Sequence, residues 1–387
     1  MTDDVQPNPP HPIVGHEHAK RVLQAAVRTQ RLAHAYLFTG PDGIGKRLVA
    51  THWAMAINCE AQPNMDPPGP LPSEHREREG EAPPALSAEG ATRAPTIAFG
   101  GCGSCRACIM ALAGNHPDLI TIEPDGLFIK IEQIRALQSS LSLTPWSGAR
   151  KIILIDRADR LNMEAANCLL KTLEEPPHAS LLILISAAPD DLLSTLRSRC
   201  HIIRFFPMNP EQLIPWLMTE QRWSADDATL TGAVAGGCLG KALAVDPATL
   251  REERDQIDQL IADSCLARTG TDRALSHLTE GAELAAQTPE QFERTLRWLL
   301  LWLQDTVRLI VSTNTTGAVP RFPSAQRAAR QVPIAACCDL AAQLHWTWRA
   351  SFRNINRQLL LEQWLIALRE VCLEAPDRSR LQETAAT

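Results

Sequence analysis

Short, almost wholly apolar runs set between helical patterns narrow the fold of this chain more than any other feature. Tyr36–Thr39 (YLFT), Leu119–Ile122 (LITI), Lys151–Ile155 (KIILI) and Ser180–Ser186 (SLLILIS) have the length of strands. A strand with one solvated face alternates apolar and polar residues. These do not, so both of their faces must be covered. The patterns between them are helical, as in Arg47–Cys59, and this combination predicts an α/β domain built on a parallel sheet. After Pro207 no such run recurs. Residues 208–248 read as a small helical lid closing near Gly236-Gly237-Cys238-Leu239-Gly240, and 249–387 as an all-helical domain. In the latter, Trp298, Leu299, Trp302 and Leu303 share one helix face, and Leu359, Leu360, Trp364, Leu365 and Leu368 share another. The expected division is therefore 1–207, 208–248 and 249–387.

Composition excludes several function classes. Acidic residues outnumber basic ones 44 to 38, a net charge of -6, which argues against a protein that coats DNA by bulk charge. Met1–Pro12 lacks the basic and apolar regions of a secretory signal, and Trp298–Leu303 is too short to span a bilayer. A cytoplasmic protein is expected. Residues 61–100 hold 8 prolines and few large apolar side chains. Such a stretch cannot bury enough surface to offset its ordering entropy, so it is expected to be a disordered insertion within the first domain.

Gly40-Pro41-Asp42-Gly43-Ile44-Gly45-Lys46 has the G-x-x-x-x-G-K form of a phosphate-binding loop, after a strand and before a helix. Gly40, Gly43 and Gly45 let backbone N–H groups cradle phosphate, and Lys46 reaches the outer oxygens. The next residue in a working site is Ser or Thr, whose hydroxyl holds Mg²⁺. Here it is Arg47. The Lys151–Ile155 run ends on Asp156, the metal-holding position of such proteins. The residue after it, where a Glu would orient the attacking water, is Arg157. Two groups required for hydrolysis are thus replaced by cations. The loop is expected to be kept for structure rather than for turnover, with passive retention of ATP left open.

Of 11 cysteines, only Cys102, Cys105 and Cys108 have ligand spacing, C-x-x-C-x-x-C. Two thiolates at this spacing grip one Zn²⁺, but a structural site needs a fourth ligand. Cys59 and His116 both compete for that role. A redox pair or buried thiols are the bland readings, and buried thiols are the expectation for the other seven.

His34-Ala-Tyr-Leu-Phe38, Leu169-Leu-Lys-Thr-Leu-Glu-Glu-Pro-Pro177 and Ser198-Arg199-Cys200 together resemble the bacterial clamp-loader family of AAA+ proteins. The resemblance covers residues 13–247, with a weaker echo at Asn354–Leu360. It implies an AAA+ base domain with a zinc module over 59–116, a helical lid and a C-terminal collar. It implies Cys59 as the fourth zinc ligand, because the family places a zinc cysteine there. Ser186 falls at its sensor 1 position, Ile13-Val14-Gly15 at its adenine-side box, and Arg199 at its arginine finger. In the family that finger projects into the ATP site of a neighbouring subunit. The ATPase subunits, gamma and tau, keep a Thr, a Glu and a sensor 2 Arg where this chain has Arg47, Arg157 and Gly240. The resemblance therefore implies a subunit of the DNA polymerase III holoenzyme with no ATPase or polymerase activity of its own. Its expected partners are gamma/tau and delta in a five-subunit ring, and through the ring the sliding clamp and primed DNA. A gamma/tau-like ATPase and a zinc-dependent nucleic-acid binder are the alternatives.

Overall fold

The computed structural model describes residues 13–29, 31–61, 99–141, 143–146, 150–177, 179–266, 271–311, 321–351 and 355–374. The bulk of the expected insertion (62–98) and Asn354 lie outside the described residues. The chain divides into two compact units, residues 1–208 and 209–387.

In the first unit the elements run α1 (Glu17–Arg28), β1 (Ala35–Thr39), α2 (Lys46–Ile57), α3 (Arg106–Leu112), β2 (Leu119–Ile122), α4 (Ile131–Leu141), β3 (Lys151–Ile155), α5 (Met163–Glu174), β4 (Ser180–Ser186), α6 (Ser194–Arg197) and β5 (His201–Arg204). The five strands form one parallel sheet in the order β2-β3-β4-β1-β5. Every residue of β1, β3 and β4 is buried, as continuous apolar runs require. Ile153, Leu182, Leu184, Leu169 and Ile134 meet in one core beneath α4 and α5. On α2, buried Trp53 packs against Tyr36 and donates its indole N–H to the Leu23 carbonyl at 3.1 Å. α5 starts where the Asn162 side chain accepts the Ala165 N–H at 2.7 Å, and it stops ahead of Pro176 and Pro177, which cannot continue a helix. β5 is absent from the sequence-level pattern for a plain reason. It is an edge strand with only Ile203 buried, so it has no apolar run to read.

The register pairs Thr39 with Ser186 and Ile155 with Leu184. The phosphate loop, Asp156 and Ser186 therefore emerge together at the carboxyl ends of the strands, where open α/β sheets place their ligand sites.

The second unit is all-helical: α7 (Pro210–Glu220), α8 (Ala225–Val234), α9 (Leu239–Leu243), α10 (Pro247–Ser264), α11 (Thr271–Ala285), α12 (Pro289–Val311), α13 (Pro323–Gln331), α14 (Ile334–Ser351) and α15 (Arg357–Glu374). Trp298, Leu299, Trp302 and Leu303 are all buried in its core with Leu360, Trp364, Leu365 and Leu368. Leu359 does not join them. It is 59% exposed and Leu361, two positions on, takes its place on the inward side of α15. Cys338 likewise faces solvent beside buried Cys337. α13 is pinned by two carboxylates. Asp258 accepts from the Ser324 amide at 3.0 Å. Buried Asp305 accepts from the Arg321 and Phe322 amides at 2.7 and 3.2 Å and from Arg308 Nη2 at 2.7 Å. Asp305→Ala would strand these donors and is expected to cost about 3 kcal/mol in chemical denaturation. A loss below measurement error would mean that water replaces the carboxylate.

No helix among the described residues is long and apolar enough to cross a membrane.

Candidate phosphate loop, arginine finger and metal centre

The loop between β1 and α2 has the backbone its glycines allow. Gly40, Gly43 and Gly45 have φ of 147°, 72° and 104°. A Cβ at Gly40 would sit 2.5 Å from the Phe205 carbonyl oxygen, so the loop's first position admits only glycine. Buried Lys46 turns inward and donates to the Gly40 and Pro41 carbonyls at 2.5 and 2.9 Å. His16, in a left-handed conformation after Gly15, bonds the Ile44 carbonyl through Nε2 at 2.8 Å and stacks edge-on against Phe205. Burial lowers its pKa, and because a carbonyl can only accept, Nε2 is the nitrogen that carries the proton in this bond. No motif or spacing in the sequence singles out His16. A Cβ at Gly15, in the Ile13-Val14-Gly15 segment ahead of it, would lie 3.4 Å from the Met208 side chain.

Arg47 reaches across the site. Its Nη1 contacts the Glu123 carboxylate and lies 3.4 Å from Asp156 Oδ2. The other oxygen of Asp156 accepts the Arg157 amide at 3.0 Å, with Arg157 itself left-handed at φ 50° and exposed. Both oxygens of the acidic residue at the end of β3 are thus engaged by protein donors, and a guanidinium stands beside them. Glu123 is a further residue that spacing did not reveal. Its signal would have been an acidic residue directly after β2, the strand beside β3. Ser186 donates its hydroxyl to Asp159 Oδ1 at 2.8 Å, which ties the end of β4 to the turn after β3.

Arg199 follows α6. Its Nη1 donates to the Thr195 carbonyl at 3.0 Å and its Nη2 to Glu174 Oε1 at 2.8 Å, with the side chain 37% exposed. Its neighbours behave differently. Arg197 is held by Asp190 Oδ1 at 2.5 Å. Cys200 packs against the sheet core, where burial pushes its thiol up to about 12. It is an inert anchor rather than a reactive group.

The four sulfurs of Cys59, Cys102, Cys105 and Cys108 all lie within 4.8 Å of one another. A tetrahedral thiolate site with arms of ~2.3 Å has sulfur–sulfur edges of roughly 3.8 Å, so a small inward adjustment closes the set. Cys59 follows α2 and Cys105 caps α3. The amides of Cys102, Cys105 and Cys108 point at the sulfurs of Cys59, Cys102 and Cys105, at 3.3, 3.2 and 3.4 Å. Such donors favour thiolates. The Ser104 hydroxyl and the Ser104 and Cys105 amides lower the Cys102 thiol to about 6, while burial raises Cys59 and Cys108. Gly101 completes the cradle, because a Cβ there would come within 2.7 Å of the Cys108 sulfur. His116 is not part of the group. It is buried, and its Nδ1 accepts the Asp118 amide at 3.0 Å in a local turn. The cluster can hold a metal ion through four cysteines, and an all-sulfur set suits a soft or borderline cation.

The family model described as "DNA polymerase III, delta subunit" matches residues 15–83 and 86–209. The chain is 38% identical to the DNA polymerase III subunit delta' of Pseudomonas aeruginosa over 43% of this chain and 42% of that protein. It is 29% identical to the subunit delta' of Escherichia coli over 69% of this chain and 78% of that protein. The subunit tau of Escherichia coli is 27% identical over 76% of this chain and 42% of tau. The match to the Pseudomonas relative thus spans less than half of that protein's length. The family match runs through the phosphate loop, the cysteine group and the Ser198-Arg199-Cys200 segment, and the chain belongs to the DNA polymerase III delta-prime family of clamp-loader subunits.

Proposed function

We propose that this chain is a non-hydrolysing clamp-loader subunit that lends Arg199 to the ATP site of a neighbouring subunit. One observation carries the reading: the guanidinium of Arg47 lies between Glu123 and Asp156, where an ATPase would hold its metal. Phosphoryl transfer needs a positioned metal and an oriented nucleophile. Arg47 replaces the hydroxyl that would bind the first, and Arg157 replaces the carboxylate that would orient the second. Arg199, in contrast, is exposed and has donors to spare. The partners are the gamma/tau ATPase subunits and the delta subunit in a five-subunit cytoplasmic ring that places a sliding clamp on primed DNA. The first unit is the AAA+ base domain, residues 208–248 act as its lid, and residues 249–387 form the collar. The cysteine group holds one structural Zn²⁺, closed to substrate by its four protein ligands.

ATP turnover by the isolated chain tests the reading. No hydrolysis above background is expected, whereas sustained turnover would favour a gamma/tau-like motor. The collar has its own test. A chain ending at Met208 keeps the sheet and its core and is expected to fold, yet to fail to join the ring. Co-purification of that truncated chain with the ATPase subunits would refute the collar's role.

A further inference from the structure

The geometry around Arg199 points to a second residue. Glu174 ends α5, and its carboxylate receives one N–H of the Arg199 guanidinium while the Thr195 carbonyl receives another. A guanidinium has five donors in a rigid plane, so two anchors fix that plane and leave the remaining edge free. The anchors come from different elements, α5 and α6, so the plane is set by the fold rather than by the finger's own backbone. Arg197 does not compete for Glu174, being tied to Asp190 and the Pro189 carbonyl. The Arg199–Glu174 pair is substantially exposed, 37% and 50%, so it adds little to fold stability and its removal leaves the unit intact. What it does supply is orientation, and a long side chain aimed in advance loses less freedom on meeting its target.

We propose that Glu174 is the positioning residue for the arginine finger, holding Arg199 so that its free N–H edge meets the phosphoryl oxygens in the neighbour's site. This rests on the reading of Arg199 as that finger. Glu174 touches neither nucleotide nor reacting atoms, so it acts only through Arg199.

The test is steady-state ATP turnover by the assembled complex with primed DNA and sliding clamp, built with wild-type chain, E174Q, E174D, R199A or the E174Q/R199A double variant. E174Q is expected to lower kcat by about two- to five-fold at the bordered site, with KM for ATP unchanged. E174D should recover most of the loss, because it keeps the charge. The double variant should match R199A alone, since Glu174 has nothing left to position. If R199A lowers turnover while E174Q leaves it unchanged or raises it, Glu174 is no positioning residue and the finger reading stands. A double variant slower than R199A by the full E174Q factor would also overturn the proposal. Unchanged turnover with R199A in an intact complex would overturn the finger reading and this inference together.

Discussion

In a complex reconstituted with its ATPase subunits, primed DNA and sliding clamp, Arg199→Ala is expected to lower ATP turnover sharply at the one site this subunit borders. Arginine fingers contribute on the order of 10³–10⁵ in rate where they are best understood, because they place positive charge where negative charge builds on the transferring phosphoryl group. The fall in total turnover will be partial if the remaining motor sites fire independently, and larger if the ring acts in concert. Assembly should survive, because Arg199 lies in the first unit and the helices of the second are untouched. The substitution should also leave the chain folded. Its partner Glu174 is half-exposed, and an exposed pair of this kind is worth at most about 1 kcal/mol. Unchanged turnover in a complex shown to be intact would leave this subunit as scaffold only.

Removal of the proposed zinc should have the other large effect, this time on folding. Structural zinc sites contribute on the order of 10 kcal/mol of binding free energy, which is folding free energy wherever the ligands are scattered in the unfolded chain. Around the cysteines the apolar support is small: Met55, Cys59, Cys108 and Ala111, with Leu112 and Leu119 at the margin. A chelator is therefore expected to release α3 and the turn before it. The sheet should stay folded, because its core of Ile153, Leu182 and Leu184 lies in a separate cluster. Hydrogen exchange should show this as a loss of protection over residues 99–112 alone. Cys59→Ser should lose most of the bound metal, read as metal per chain by elemental analysis. Because binding must expel protons from thiols that burial holds up, retention should fall as pH drops. Reduced, purified wild-type protein that contains no zinc would refute the assignment.

Much of this molecule is legible in short stretches of sequence. KIILI and SLLILIS read as strands covered on both faces, and they are the buried β3 and β4. The glycine spacing of the loop after β1 specifies backbone conformations that only glycine takes freely, and the identities of Arg47 and Arg157 alone carry the proposal that hydrolysis is lost. The edge strand β5 was not legible, since one buried residue leaves no pattern. Neither was the inward side of α15, where the apolar residues at 359–361 run consecutively and period alone cannot choose between Leu359 and Leu361.

The tertiary structure decided what lies far apart along the chain. Spacing left Cys59 and His116 as rival fourth ligands. The fold settles the geometry by bringing Cys59, 43 residues before Cys102, into the sulfur group and turning His116 toward its own local amide. Glu123 meets Arg47 at the carboxyl ends of the strands, and Glu174 meets Arg199 ahead of β4 and β5 at their amino ends, only because the parallel sheet brings these segments side by side. Local sequence sets backbone preference and burial, which act over a turn of helix or a few residues of strand. Side-chain partners brought together across dozens of residues depend on strand order and register, and no periodicity in the sequence encodes those.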